Sequence, residues 1–240
     1  MAQLGGTSIY LNTSETQLKN EETIEDTARA VSRMVDLVMI RTGPHSRLEA
    51  FAKESEVPVI NGLTNDSHPC QVMGDIMSFI EKRGSIKGAV VTWIGDANNV
   101  LYSWLYAASI LGFKVHISAP PGYSINPTQV PDNDDCYDFF LSPEEAAEGA
   151  DLVTTDNWRS CGYDENQAKR QSKSARWQVN ETVMKAAKPD ALFMHCLPAF
   201  RGQEVSSEVI DGPQSVVWDE AGNRLHFQKS TDGIFAFRQN

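Results

Sequence analysis

The amino-acid sequence predicts an α/β protein with two doubly wound lobes, each built on a parallel sheet, and the first lobe incomplete at its N-terminus. Short apolar segments alternate with longer segments of helical period, which is typical of right-handed crossovers between parallel strands. A glycine-containing break over residues 84–88 separates the lobes. We therefore assign residues 1–84 to the first lobe, residues 85–225 to the second lobe and residues 226–240 to a C-terminal segment.

The first lobe begins, in this interpretation, inside a secondary-structure element. Residues 1–4 are predicted to form the last turn of a helix, because Gly5 and Gly6 tolerate the left-handed conformation of a helix cap. Four residues do not form a stable helix alone, so we expect the sequence to start within a longer lobe. Hydrophobic period and turn residues then predict strands over residues 7–11, 37–40 and 57–60, and helices over residues 24–34, 48–53 and 69–82.

In the second lobe, predicted strands and helices alternate more regularly than in the first. The predicted strands cover residues 89–94, 115–118, 152–155, 192–195 and 215–218. The predicted helices cover residues 100–111, 143–148, 181–187 and 205–210. Because doubly wound sheets bind ligands beyond the carboxyl ends of their strands, the residues that follow the strands are the candidates for chemistry.

The composition narrows the class of function. The chain has 240 residues, of which 41% are hydrophobic, so it can bury a substantial core. Its formal net charge of -11 argues against the basic face that a nucleic-acid partner needs. Its longest apolar segments are too short to span a membrane. We therefore expect neither a nucleic-acid partner nor a membrane.

The cysteines indicate a reducing environment. Cys70, Cys136, Cys161 and Cys196 are scattered, without the paired spacing of a zinc site. A disulfide framework is improbable in a chain of this length and cysteine density. These features predict a cytoplasmic protein without a metal site.

Polar residues follow the predicted strands of the first lobe. Arg41 comes directly after one strand and can present a planar guanidinium group to an oxyanion or a carbonyl group. His68 and Gln71 flank the start of the helix that Pro69 opens, and a helix N-terminus attracts anions. Taken singly, Arg41 is better explained as a surface arginine and His68 as a simple helix cap.

The strand ends of the second lobe carry similar residues. Asn98 and Asn99 open a helix after a strand, but the GxGxxG spacing is absent, so a nicotinamide-dependent oxidoreductase is poorly supported. Asp156 and Ser160 follow another strand, where they can hold a cationic amine or belong to an ordinary turn. Cys196 closes a fourth strand as either a nucleophile or a buried structural thiol. Together these residues predict one shared cleft.

Five segments, in order along the chain, resemble ornithine carbamoyltransferases. They read VPVINGLTNDSHPCQ, WIGDANNV, TDNWRSCG, MHCLPAFRGQEV and DEAGNRLHFQK. The HPCQ and HCLP segments at this separation are very specific to the carbamoyltransferase superfamily. In the third segment Cys161 stands where the family's ornithine-specific loop has the methionine of Ser-Met-Gly. A soft side chain is kept there, so we favour ornithine over aspartate, putrescine or an acetylated ornithine.

The resemblance implies a reaction and an assembly. The carbamoyl group of carbamoyl phosphate passes to the side-chain amine of L-ornithine, giving citrulline and phosphate in arginine biosynthesis, without a metal or other cofactor. Residues 1–84 correspond to a partial carbamoyl-phosphate-binding domain and residues 85–225 to the ornithine-binding domain. Members of the family are homotrimers, and the loop around Gln17 is expected to reach into a neighbouring subunit's site.

The resemblance also assigns the residues that contact carbamoyl phosphate. Arg41, His68 and Gln71 are expected to hold its carbamoyl and phosphate groups, with Arg224 reaching it from the C-terminal side. The backbone at Leu197 and at the preceding residue is expected to face the carbamoyl NH2 group. Donors such as Arg41 and His68 stabilise charge that develops on the carbonyl oxygen.

A second group of residues is expected to contact ornithine. Asn99, Asp156, Ser160 and Cys161 bind its amino-acid end by this resemblance, and Asp156 and Cys196 lie close to the attacking amine. Because the amine attacks in its neutral form, the site has to bind ornithine without fixing a proton on that nitrogen. Most of the rate gain then comes from positioning the two substrates together.

Two departures from the family pattern lead to a further expectation. The Ser-Thr-Arg-Thr-Arg phosphate loop, which in the family opens the helix that ends here at Leu4, is absent from these residues. The segment QKSTDGIFAFRQN carries a glycine and polar residues where an apolar helix packs back on the first domain. The chain is accordingly either an N-terminally shortened carbamoyltransferase or a non-catalytic relative that keeps an amino-acid-binding pocket.

We expect the 240-residue polypeptide to form citrulline more slowly than a version extended with a family-like N-terminal segment. Charge-assisted hydrogen bonds contribute roughly 1.5–3 kcal/mol each, so losing several lowers the rate by several powers of ten, at about 1.4 kcal/mol per factor of ten. Citrulline formation by the two purified polypeptides measures the difference. Comparable turnover would show that the phosphate loop is dispensable.

Overall fold

The computed structural model describes residues 1–12, 22–130, 134–158 and 175–237. Within these ranges the strands form two parallel sheets, one of two strands and one of five. The smaller sheet pairs β1 (Val38–Arg41) with β2 (Val59–Leu63). The predicted α/β class with parallel sheets is therefore confirmed.

The first lobe surrounds the smaller sheet. A 3-10 turn, Ala2–Leu4, ends at Gly5, whose φ of 81° is the left-handed conformation expected for this cap. The helices are α1 (Ile24–Val31), α2 (His45–Glu54) and α3 (Pro69–Arg83). Pro69 occupies the first turn of α3, as predicted, because proline has no N–H to lose there and its φ is already helical.

The second lobe contains the five-stranded sheet. Its strands are β3 (Val90–Ile94), β4 (Lys114–Ser118), β5 (Tyr137–Phe139), β6 (Leu152–Thr155) and β7 (Leu192–His195). The helices here are α4 (Asn99–Leu111), α5 (Pro143–Ala147), α6 (Glu181–Ala186), α7 (Ser207–Ile210) and α8 (Val217–Phe237).

The strand order of this sheet is β5-β4-β3-β6-β7, and every pairing in it is parallel. The chain therefore builds outward from β3 on one side, through β4 and β5, and then crosses to the other side for β6 and β7. The point where the direction reverses lies between β3 and β6, which is where such sheets bind ligands.

The core connects the two lobes. Trp93 of β3 and Trp104 of α4 are fully buried on one face of the large sheet. Val72, Ile76 and Phe79 of α3 pack into the same cluster, although α3 belongs to the first lobe. Helix α3 is therefore shared, and its N-terminus is fixed relative to the strands of the second lobe.

The predicted strand over residues 215–218 is wrong. Ser215 makes only an isolated bridge to Phe193, and Val216 donates its N–H to the Phe193 carbonyl at 3.0 Å. Helix α8 begins at the next residue and packs against α3. A short apolar run fits the start of a buried helix as well as a strand, so the hydrophobic period could not distinguish them.

Three other features of the structure differ from the sequence analysis. Residues 7–11 pair with no strand in the described parts of the chain, and Ile9 and Tyr10 are exposed. Strand β5 was not predicted, because its three residues alternate too briefly to give a signal. Helix α8 also runs without interruption across the predicted boundary at residues 225 and 226, through Gly222 and Gly233.

Replacing Phe193 with alanine is expected to destabilise the fold by about 3–5 kcal/mol, because this β7 side chain has no exposed surface and its removal leaves a cavity. Phe139→Ala on β5 is the matched control, since that side chain is 52% exposed and its loss is expected to cost much less. Urea unfolding of both variants measures the difference. Equal losses would contradict the placement of Phe193 in the core.

Candidate active site

The carboxyl ends of β3, β6 and β7 are joined by side-chain hydrogen bonds. Cys196, after β7, donates from Sγ to Oδ1 of Asp156, after β6, at 3.1 Å. Asn98, after β3, donates from Nδ2 to the other Asp156 oxygen at 2.7 Å. Asn98 also caps α4 by accepting from Val100 N and Leu101 N. Three strand ends therefore meet at one carboxylate, as the sheet order requires.

The Asp156 carboxylate holds the Cys196 thiol in its protonated form. Burial raises the pKa of the Cys196 thiol well above its usual range, and the negative charge of Asp156 raises it further. A thiol that keeps its proton at neutral pH donates a hydrogen bond and is a weak nucleophile. The two interpretations left open for Cys196 were a nucleophile and a buried structural thiol, and the hydrogen bond to Asp156 argues against the nucleophile.

The N-terminus of α3 presents a buried neutral imidazole. His68 donates its backbone N–H to Ser103 Oγ at 2.7 Å, and no hydrogen bond to its side chain caps the helix. Burial lowers the pKa of His68 to about 3, and the positive charges of Arg224 and Arg41 contribute. Its Nδ1 is buried and has no hydrogen-bond partner among the described residues. The ring is therefore neutral and has a polar atom available for a ligand.

Three hydrogen bonds hold the Gln71 side chain in one orientation. Its Nε2 donates to Asp75 Oδ1 at 2.8 Å and to Glu220 Oε1 at 3.1 Å. Its Oε1 accepts from Arg224 Nη1. Because a guanidinium group only donates, the amide oxygen has to face Arg224, and reversing the amide would break this bond.

Asp75 and Glu220 form a buried pair of carboxyl groups behind Gln71. Burial raises the pKa of Asp75 to about 7. Burial and the nearby Asp75 charge raise the pKa of Glu220 well above its usual range. The second Glu220 oxygen accepts the backbone N–H of His195 at 2.9 Å. Glu220 of α8 therefore links α3 of the first lobe to β7 of the second.

Two arginines lie close to His68. Arg41 ends β1 and is exposed, whereas Arg224 is half-buried on α8. A Cβ atom at Gly74 would lie 3.0 Å from Arg224 Cδ, so the glycine leaves room for this side chain. Both guanidinium groups are close enough to His68 to affect its titration, which gives this part of the cleft a positive potential.

Asn99 and Leu197 occupy the rim of the same region. Asn99 Nδ2 donates to the Thr64 carbonyl at 2.7 Å, which ties α4 to the segment before α3. Leu197 has a positive φ of 53°, an uncommon conformation for a branched side chain. It directly follows Cys196, so the HCLP segment turns sharply at the end of β7.

Some candidate residues lie outside the described residues, and others were not found from the sequence. Gln17, Ser160 and Cys161 belong to the first group. Asp75 and Glu220 belong to the second. Asp75 lies in a predicted helix, where the sequence gives no sign of the face that a carboxylate occupies, and Glu220 follows residues 215–218, which were wrongly predicted as a strand. Across the described ranges no group of His, Cys, Asp and Glu side chains is arranged to hold a metal ion.

Comparison with known protein families identifies the family of this chain. The aspartate/ornithine carbamoyltransferase carbamoyl-P binding domain matches residues 1–81, and the Asp/Orn binding domain of the same family matches residues 87–231. The chain belongs to the aspartate/ornithine carbamoyltransferase family. No helix in the parts of this carbamoyltransferase that the structure describes is long and apolar enough to cross a membrane.

Relatives within the family agree in sequence and in structure. The chain is 57% identical over 230 residues to the ornithine carbamoyltransferase of Herminiimonas arsenicoxydans, covering 96% of this chain and 76% of that protein. The crystal structure of ornithine carbamoyltransferase from Burkholderia thailandensis matches with a TM-score of 0.91 and 51% identity, over 98% of this chain and 78% of that one. The enzyme from Pyrococcus furiosus matches with a TM-score of 0.90 and 45% identity, over 96% and 76%.

Replacing Asp75 with asparagine is expected to flatten the pH dependence of stability. The pKa of Asp75 is raised in the folded protein from 3.8 to about 7, so its stabilising contribution is present at low pH and is lost as pH rises through about 7. Relative to Asp75→Asn, the wild-type free energy of unfolding should fall by up to about 1.4 kcal/mol per pH unit between pH 5 and 7. Urea unfolding across this range gives both curves, and parallel curves would contradict the raised pKa.

Proposed function

We propose that this chain is an ornithine carbamoyltransferase, which transfers the carbamoyl group of carbamoyl phosphate to the side-chain amine of ornithine and yields citrulline and phosphate. The observation that carries this conclusion is the 57% identity to a protein of that name over 96% of the chain. The connected arrangement of the HPCQ and HCLP segments supports it, because Glu220 bonds to both Gln71 and His195 N. The alternative of a non-catalytic relative is not favoured.

We infer that carbamoyl phosphate binds at the N-terminus of α3. Arg41, Arg224 and the positive end of the helix provide charge for a phosphate group. His68 is neutral, and its unpaired Nδ1 is available to a ligand. A neutral imidazole that donates toward the carbonyl oxygen stabilises the charge that develops there. Gln71 fixes the position of Arg224.

We infer that ornithine binds on the β6 and β7 side of the cleft. Asp156, Cys196 and Asn99 are the described members of this part of the site, and Ser160 and Cys161 are assigned to it from the sequence. A carboxylate that accepts from a thiol and an amide can also accept from an amine. The attacking nitrogen forms a bond to the carbamoyl carbon, and the bond from that carbon to the phosphate oxygen breaks with its electron pair leaving on phosphate. The proton that the nitrogen loses passes to the departing phosphate.

We also propose the domain division, the compartment, the pathway and the oligomeric state of this protein. Residues 1–84 form the carbamoyl-phosphate-binding domain, residues 85–225 form the ornithine-binding domain, and residues 226–240 form a C-terminal segment, of which residues 226–237 belong to α8. The protein works in the cytoplasm in arginine biosynthesis. It assembles as a homotrimer in which the loop around Gln17 contacts a neighbouring site. Sedimentation at several protein concentrations tests the trimer.

Citrulline formation from carbamoyl phosphate and ornithine is the direct test of the activity. For the ornithine site, Asp156→Ala is expected to weaken ornithine binding at least tenfold, because a charge-assisted hydrogen bond contributes roughly 1.5–3 kcal/mol. Asp138→Ala is the matched control, since Asp138 lies on β5 in an exposed ion pair with Lys114. Calorimetric titration with ornithine, and with norvaline, which lacks the side-chain amine, measures both variants. Unchanged affinity in Asp156→Ala would remove Asp156 from the site.

A further inference from the structure

The side chain of His195 lies between the HCLP segment and a buried glutamate. Its Nδ1 accepts the backbone N–H of Leu197 at 2.9 Å. Its Nε2 lies 3.2 Å from Oε1 of Glu204. Both side chains are fully buried, so water does not compete for these hydrogen bonds.

These two contacts determine where the proton of the ring lies. An N–H group can donate only to an unprotonated nitrogen, so Nδ1 of His195 carries no proton when it accepts from Leu197. The proton of the neutral ring is then on Nε2, from which it donates to Glu204 Oε1. The contact is therefore a hydrogen bond between a neutral imidazole and a carboxyl group, and it selects one tautomer.

Glu204 is itself fixed by the surrounding chain. Its Oε1 also accepts the backbone N–H of Phe200 at 2.5 Å, and its carbonyl oxygen accepts the N–H of Val179 at 2.8 Å. The first of these bonds holds the far side of the loop that begins at Leu197. One carboxylate oxygen thus holds residue 200 directly and residue 197 through the His195 ring.

We propose that Glu204 is a positioning residue for carbamoyl transfer, which it serves by fixing His195 in the Nε2–H tautomer. In that tautomer Nδ1 holds the Leu197 N–H and keeps Leu197 at its positive φ of 53°. In the opposite tautomer Nδ1 carries a proton that faces the Leu197 N–H, and the turn loses its hydrogen bond. This inference rests on the proposed function, in which the backbone at Cys196 and Leu197 faces the carbamoyl group.

Three variants separate positioning from simple stability. Glu204→Gln keeps an oxygen that accepts from both His195 and Phe200, so it preserves the tautomer. Glu204→Met has a similar length but no such acceptor, so the ring is free to exchange tautomers. Val209→Ala, on the neighbouring helix α7, removes buried methyl groups of a residue that is 5% exposed and has no contact with His195 in the proposed network. It reports the effect of lost stability alone.

Two measurements decide the proposal. In nitrogen NMR of the full chain labelled at histidine, we expect His195 to carry its proton on Nε2 in the wild type and in Glu204→Gln, and to populate both tautomers in Glu204→Met. In citrulline formation, we expect kcat/KM for carbamoyl phosphate to fall at least tenfold in Glu204→Met and to stay within threefold of wild type in Glu204→Gln and Val209→Ala.

The outcomes separate this proposal from the proposed activity. A wild-type ring protonated on Nδ1, or a Glu204→Met enzyme with the kcat/KM of the wild type, would overturn the positioning role. An equal loss of kcat/KM in Glu204→Met and Val209→Ala, with matching losses of thermal stability, would also overturn it. A wild-type chain that forms no citrulline would count against the proposed function, and the NMR comparison would still decide whether Glu204 sets the His195 tautomer.

Discussion

The carboxyl group of Glu220 is the contact on which the rest of the site depends. It accepts from the Gln71 side chain with one oxygen and from the His195 backbone with the other. These partners belong to α3 and β7, which come from different lobes and lie more than a hundred residues apart in sequence. Breaking a buried hydrogen bond of this kind leaves polar atoms without partners, which is costly. Glu220 therefore holds the HPCQ and HCLP segments together.

This buried arrangement explains why pKa values in the site differ from those of the free amino acids. Burial keeps His68 neutral and Cys196 protonated, and the arginine charges lower the pKa of His68 still further. The carboxyl groups of Asp75 and Glu220 accept from the amide nitrogen of Gln71, and Arg224 donates to its amide oxygen. The candidate site consequently has cationic and neutral donors at the α3 end and a carboxylate at the Asp156 end, which is the distribution that the proposed function uses.

Much of the fold and part of the site were predictable from the sequence, because they depend on local signals. Pro69 predicted the start of α3, and the alternating apolar segments predicted β3, β4, β6 and β7 close to their observed bounds. The errors arose where local signals are ambiguous or too short, as at residues 215–218 and in β5. Glu220 was missed for a different reason. Its role depends on the docking of α8 on α3, and no local pattern records which residues meet across two lobes.

Because α8 lies near the C-terminal end of the described residues, its contacts with α3 form late during synthesis of the chain. Gln71 and Asp75 leave the ribosome long before Glu220 and Arg224, which are their hydrogen-bond partners on the last described helix. Domains generally begin to fold from the N-terminal side during synthesis. The Gln71 side chain of the first lobe therefore lacks its partners on α8 until about 150 further residues have been translated. A nascent chain can build its sheets early, but the hydrogen bonds around Gln71 form only when synthesis reaches α8.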